Sequence, residues 1–268
     1  MRKAAQYYLS LVALLVIVGA WSAGCCGTRR GRISVVGSTS VQPIAEVLAE
    51  GFSKIYPDQV VNVQGGGSSA GIKAVRDGTA AIGTSSRPLK PEEQPGLSAV
   101  EIARDGIAIV THPDNPIENL TLEQLRKIFS NEITDWSRVN GKAGTILVVN
   151  REAGSGTREA FTKIVMAKAP LGLQTIVQGS TGTVRQTVSG SRNAVGYLSL
   201  TALDATVKTV RINGVAPTFE NIKQKKYPIV RSFLFVYKTP DRGVSKFIDY
   251  VLNQGQGLVQ KNRLVPVK

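Results

Sequence analysis

The chain has 268 residues, 42% of them hydrophobic and 19% charged, a composition that excludes a disordered protein. Its formal charge is +14, but the lysines and arginines are scattered and no aromatic-basic module accompanies them. That pattern argues against nucleic-acid binding and for a solvated basic surface, or a field that draws in small anions. The two cysteines, Cys25 and Cys26, are adjacent, which excludes a disulfide framework or a thiolate metal site in the body of the protein.

Residues 1–24 read as a secretory signal. Arg2 and Lys3 precede an apolar run from Leu9 to Ala20, shorter than the roughly 20 residues a membrane span needs. The small residues Ser22, Ala23 and Gly24 follow, then Cys25. This order resembles a bacterial lipoprotein box, with Cys25 receiving lipid and Ser22 standing where such boxes usually carry leucine. The alternatives are an ordinary signal peptide cut nearby or an uncleaved anchor. Removing residues 1–24 deletes Arg2 and Lys3 and no acid, so +14 becomes +12. Residues 25–32 are then a short polar tether, in which Cys26 has no assigned role.

The body alternates strand, turn and helix. ISVVG (33–37) reads as a buried strand, and Ser38-Thr39-Ser40 leads into a helix with Ile44, Val47, Leu48, Phe52 and Ile55 at helical spacing. Pro43 fits its first turn and Pro57 marks its end. QVVNV (59–63) is a second strand, followed by the turn GGGSSAG and a short helix ending near Asp77 and Gly78. AAIGT (80–84) is a third, ending in Ser85-Ser86-Arg87 before Pro88. Residues 98–111 read as extended, and Thr121 starts a helix with Gln124 as its capping-box partner. TILVVN (145–150) is a further strand, followed by REAGSGTREAF, in which Arg158 to Lys163 continue as a helix. The alternation predicts an α/β fold. In open α/β sheets ligands sit beyond the carboxyl ends of the strands, so these turns predict one shared site.

What the turns hold can be narrowed. Gly67-Ser68-Ser69-Ala70-Gly71 fits the G-x-S-x-G pattern of a nucleophile elbow, but a serine nucleophile needs a base in reach. The single histidine, His112, and the acids Asp77 and Asp105 would complete a triad within about 45 residues, leaving more than half of the chain after it. No P-loop, HExxH or paired-histidine spacing is present, so no metal site is expected. His112, beside Pro113, reads as a surface loop residue. An anion cradle fits better. Helix starts carry unpaired N–H groups and partial positive charge, glycine lets backbone approach a ligand, and hydroxyls add rotatable donors. Ser38 to Ser40, Ser68 with Ser69, and Ser155 to Thr157 supply these groups, and Arg151 supplies a fork for two oxygens. The plain alternative is that each serine merely caps its own helix.

GSTSVQPIAE (37–46), VQGGGSSAGIKAV (63–75), IGTSSRPLKPEE (82–93), REAGSGTREAF (151–161) and VGYLS (195–199) together resemble the phosphate-binding lipoprotein of the bacterial phosphate ABC importer, the PstS type. IFSNEITDW (128–136) and GVAPTFENIKQKKYPIVR (214–231) match the same pattern, so the resemblance spans nearly all of the mature chain. It implies a periplasmic-binding-protein fold of type II: two α/β lobes joined by two crossing segments, with the ligand cleft between them. Lobe I would take 33–103 and 228–268, and lobe II 104–227. It implies an exported monomer, lipid-anchored at Cys25 on the periplasmic or outer face of the membrane. That monomer would capture inorganic phosphate by hinge closure and deliver it to permease subunits and their ATPase. No cofactor and no turnover are expected.

By the family pattern, Thr39, Ser40, Ser68 and Ser86 bind phosphate from lobe I, and Arg151, Ser155, Gly156 and Thr157 from lobe II. One departure stands out. Longer members of the family place an aspartate where this chain has Ser86, an acid that accepts the proton of hydrogen phosphate and repels sulfate. Arg87 beside it either adds positive charge to the cleft or faces solvent. A receptor for another tetrahedral oxyanion, sulfate or molybdate, is the nearest alternative. An exported serine hydrolase acting through Ser69, and a sensor or adhesin on this fold, are more distant ones.

Overall fold

The computed structural model describes residues 31–268; the signal segment 1–24 and Cys25 lie outside the described residues. The described residues form ten strands in chain order: β1 (Gly31–Gly37), β2 (Gln59–Gly65), β3 (Ile82–Ser85), β4 (Ser98–Thr111), β5 (Asn119–Leu120), β6 (Leu147–Arg151), β7 (Ile176–Gln178), β8 (Ala194–Ser199), β9 (Lys208–Ile212) and β10 (Val230–Tyr237). Among the described residues eight α-helices are interleaved with them: α1 (Gln42–Ile55), α2 (Ser68–Arg76), α3 (Leu122–Phe129), α4 (Gly156–Phe161), α5 (Thr181–Ser189), α6 (Phe219–Lys223), α7 (Arg242–Leu252) and α8 (Gln256–Lys261). Along the sheet the order is β2-β1-β3-β10-β4-β8-β6-β7, with β9 on β4 and β5 on β9.

The protein is a two-lobed α/β structure with two hydrophobic cores. The first gathers Val35, Leu48, Phe52, Ile82, Phe233, Phe235 and Phe247. In α1 the buried positions Ile44, Ala45, Leu48, Ala49 and Phe52 recur every three or four residues, so one face of the helix is apolar and packs on the strands. Phe52 meets Phe247 edge-on at 5.0 Å, which ties α1 to α7. The second core gathers Ile109, Phe129, Trp136, Val149, Phe161, Tyr197 and Val210. Phe161 and Tyr197 stack there at 4.1 Å.

β4 and β10 pass between the cores. They pair antiparallel from Ser98↔Tyr237 to Gly106↔Val230, with an irregularity between Phe233 and Leu234. Beyond Gly106, β4 pairs instead with β8 and β9 in the second core. Where the strands change cores, Asp105 and Arg231 form a fully buried ion pair of 2.9 Å. Asp105 also accepts from Ser199 Oγ and Leu200 N, so three elements converge on one carboxylate. Burial pushes the Asp105 carboxyl up and the Arg231 guanidinium down, while each partner favours the other's charge.

Register places the turns. β1 and β3 run parallel with Gly37 opposite Thr84, so the turns after both strands open side by side. β6 and β7 run parallel with Arg151 opposite Gln178, so the turns after those two also adjoin. Parallel neighbours joined through a helix require this arrangement.

The structure shifts some predicted limits. β1 starts at Gly31, inside the expected tether. The expected strand from Thr145 begins at Leu147, because Thr145 bridges Asp135 instead. The helix expected to run through Lys163 stops at Phe161 and continues as a π-helical turn, Thr162–Met166. The Thr121 capping box forms as expected: Gln124 N donates to Thr121 Oγ1 at 3.0 Å and Thr121 N donates to Gln124 Oε1 at 2.8 Å.

Candidate functional site

Ser38, Ser40, Ser68 and Ser86 from the first lobe meet Thr157 and Thr181 from the second along a buried seam. All six are 3% exposed or less. Ser40 Oγ lies 2.8 Å from Thr157 Oγ1 and 2.9 Å from Thr181 Oγ1. Ser38 Oγ donates to Ser86 Oγ at 3.0 Å, Ser86 N donates to Ser68 Oγ at 3.1 Å, and the Ser68 and Ser86 hydroxyls lie 3.4 Å apart. Hydroxyls can each donate once and accept twice, so this set can turn its protons toward an anion or toward each other.

Helix capping does not explain most of these serines. No side chain caps α1 or α2, so Ser40, Ser68 and Ser69 are not spent on their own helices. Ser155 is different: its Oγ accepts from Arg158 N at 3.2 Å and its amide donates to Glu152 O at 3.1 Å. Its one remaining proton is the hydroxyl's.

Gly67, which precedes α2, has φ of +91°, a conformation glycine adopts without strain. It brings the loop under the second lobe, and Ser69 N donates to Gly154 O at 3.2 Å. Gly156 is the closest approach. A Cβ there would stand 2.2 Å from Ser68 Oγ and 2.8 Å from Ser86 Oγ, so only glycine lets the two lobes close to this distance.

Arg151, 2% exposed, crosses the seam. Its Nη2 donates to Thr39 Oγ1 at 3.3 Å and its Nη1 to Thr181 Oγ1 at 3.2 Å. Glu152 holds the other edge, accepting from Nε and Nη2 at 2.8 Å each. The Arg151 amide donates to Asn150 Oδ1 at 2.8 Å and to Tyr197 OH at 3.3 Å, which fixes where the side chain leaves the strand. Burial pushes the Tyr197 phenol up, so it stays neutral.

Residues 26–254 match the PBP superfamily domain. The chain is 31% identical to the phosphate-binding protein PstS of Bacillus subtilis, over 88% of this chain and 81% of that one. It is 30% identical to PstS of Borreliella burgdorferi, over 88% and 90%. The chain belongs to the PBP superfamily and, within it, to the PstS family. Among solved structures it resembles a phosphate ABC transporter substrate-binding protein of Clostridium perfringens with bound phosphate. That match has a TM-score of 0.87 and 43% identity, covering 89% of this chain and all (100%) of the other. It also resembles an ABC-type phosphate transport receptor of Vibrio cholerae, with a TM-score of 0.72 and 35% identity over 87% and 99%. This is a family of binding and transport receptors.

All eight residues that the PstS resemblance implied lie in the three turns after β1, β2 and β3 and in the Arg151–Thr157 segment, on the two sides of the seam. Sequence reasoning missed Thr181, which contacts Thr39, Ser40 and Arg151. Its signal was present: GST at 179–181 also ends a strand and begins a helix. Ser180 caps that helix, which leaves Thr181 for the seam.

Four candidates are engaged elsewhere: Asp105, Ser69, His112 and Arg87. Asp105, considered as a triad acid, is committed to Arg231 and Ser199. The Ser69 hydroxyl accepts from Arg87 Nη2 at 3.1 Å, and His112 Nδ1 accepts from Asp114 N in its own turn. Arg87 neither faces solvent nor lends free charge to the cleft. It is 3% exposed and is held by Glu93 through both oxygens, at 2.6 and 2.8 Å.

Proposed function

We propose that this protein is an extracytoplasmic receptor that captures inorganic phosphate between its lobes and hands it to an ABC permease, without turnover. One observation carries the reading: hydroxyls from both lobes and one buried, carboxylate-braced arginine converge on a single buried seam. Charge-assisted hydrogen bonds from such a fork contribute about 1.5–3 kcal/mol each. Membership in the PstS family supports the same ligand and the same partner.

In this reading Thr39, Ser40, Ser68 and Ser86 bind from lobe I, and Arg151, Ser155, Gly156 and Thr157 from lobe II. Lobe I comprises 33–103 with 228–268, and lobe II comprises 104–227. The separation of the two cores supports that division, as does the passage of β4 and β10 between them. The buried Asp105–Arg231 pair marks the hinge. The receptor works as a monomer, exported by residues 1–24 and tethered through lipid on Cys25.

A second reading has its own support. The side chains gathered at the seam are hydroxyls and one guanidinium, and Glu152, the carboxylate beside them, is engaged by Arg151. Such a set does not repel a fully deprotonated oxyanion, so sulfate or molybdate competes with phosphate. Calorimetric titration with phosphate, alone and in excess sulfate, tests both. Tight one-to-one binding that survives sulfate supports a phosphate receptor. Binding abolished by sulfate replaces phosphate with the broader class, and binding of neither overturns the receptor reading.

A further inference from the structure

We infer that Arg87 and Glu159 form a clasp between the lobes, which positions the turns bearing Ser69, Ser86 and Thr157 and slows ligand release; the link to release rests on the oxyanion-receptor reading.

Both Nη atoms of Arg87 are fully engaged. Nη1 donates to Pro88 O at 2.9 Å and Glu93 Oε2 at 2.6 Å. Nη2 donates to Ser69 Oγ at 3.1 Å and Glu93 Oε1 at 2.8 Å. Nε lies 2.9 Å from Glu159 Oε2, an ion pair whose angle falls outside hydrogen-bond geometry. Of the five N–H groups of the guanidinium, four donate within their own lobe and the fifth, on Nε, is buried against Glu159. Arg87 therefore cannot act as a second binding arginine.

Its partners also divide unequally. Ser69, Pro88 and Glu93 belong to the same lobe as Arg87, and Glu159 alone comes from the other. Opening the cleft breaks only the Glu159 contact and leaves Arg87 seated on Glu93. Lys90 Nζ, 3.3 Å from the same Glu159 oxygen, adds to the closed side. Glu159 follows Thr157 by two residues on α4, and Arg87 adjoins Ser86, so the clasp joins the two ligand-facing turns directly. Burial works against the charge of Arg87, but the two glutamates outweigh it and hold the guanidinium ionised. A surface cavity of about 750 Å³ borders the pair and is lined by Lys90, Arg158, Glu159 and Lys163, which gives solvent ions access to it.

The test measures release of radiolabelled phosphate from the full chain, after dilution into excess unlabelled phosphate, for the wild type and Glu159→Gln. Glu159 is more exposed than Glu93, 25% against 13%, and does not touch Glu93's contacts with Arg87, so this substitution spares the Arg87–Glu93 pair. The clasp predicts release about three- to tenfold faster, with association changed less than about twofold. It also predicts that added salt speeds release from the wild type more than from the variant. Equal release rates in the two proteins overturn it. A wild type that fails to bind phosphate overturns the phosphate reading separately, and the clasp is then judged by small-angle scattering without ligand. A larger radius of gyration for Glu159→Gln than for the wild type supports the clasp, and an equal one overturns it.

Discussion

Two seams join the lobes, and they are built from opposite chemistry. Around Ser40, Thr157, Ser68 and Ser86 the contacts are between neutral hydroxyls at 2.8–3.4 Å. Around Arg87 they are between full charges, Glu93 and Glu159 against one guanidinium. The neutral seam is adaptable, because each hydroxyl can exchange a neighbouring hydroxyl for a ligand oxygen at little cost. The charged seam is already charge-paired, and an anion entering it would have to displace a carboxylate. Exchangeable contacts suit binding and charge-paired contacts suit closure, so the two tasks fall to different residues. Arg151 is where they meet, braced by Glu152 on one edge and turned to Thr39 and Thr181 on the other.

The largest expected effect breaks that meeting point. Arg151→Ala removes the fork and leaves Glu152 without its partner beside the site, where its charge then repels an anion. Calorimetry should show phosphate affinity reduced about 100-fold or more. Arg151→Lys keeps the charge and loses the fork, and should fall between. Undiminished affinity in Arg151→Ala would remove the arginine from the site.

A single methyl tests the neutral seam. The Cβ of Gly156→Ala would meet Ser68 Oγ at 2.2 Å and Ser86 Oγ at 2.8 Å. Those hydroxyls belong to the other lobe, so the clash exists only when the cleft is closed. Affinity should fall about tenfold or more, while the melting temperature without ligand stays nearly unchanged. A drop in melting temperature matching the loss of affinity would mean that the clash is not confined to the closed form. Thr181→Val should cost less, about two- to tenfold in affinity, because it deletes one neutral hydroxyl and keeps the shape. Wild-type binding by the Thr181→Val variant would make Thr181 a structural neighbour of Thr39 and Ser40, and no part of the site.

The neutral seam could be read in the sequence largely because its turns repeat a local signal, a strand running into small and hydroxyl residues, before a helix after β1, β2 and β6 and before Pro88 after β3. Thr181 escaped because its strand is only Ile176–Gln178, three residues and largely exposed, too short to show a period. The charged seam left no such trace. Glu93 is six residues from Arg87, but Glu159 comes from another lobe, 72 positions further along the chain, and no periodicity links them. Arg87 in isolation reads as surface charge, and its burial depends on partners that only the fold assembles. The shortened helix after Ser155 was hidden for a similar reason: a π-helical turn at Thr162–Met166 keeps the same apolar residues inward while changing the hydrogen-bond step.

Acid separates the seams by the smallest margin, since only one of them titrates. The hydrogen bonds from Arg87 hold the Glu93 carboxyl below the ordinary carboxylate range, despite its partial burial. A folded-state value below the unfolded one makes its contribution fully present above the unfolded pKa of about 4.3. That contribution is lost as pH falls through the folded value. The serine and threonine hydroxyls do not titrate there. The melting temperature of Glu93→Gln should therefore sit below that of the wild type by a constant amount above about pH 5, and the gap should narrow as pH falls below about 4. A gap that stays constant through the acid range would show that Glu93 contributes its shape and not its charge. Arg87 would then depend on Glu159 for its counter-ion, and opening the cleft would cost more than the division of its partners implies.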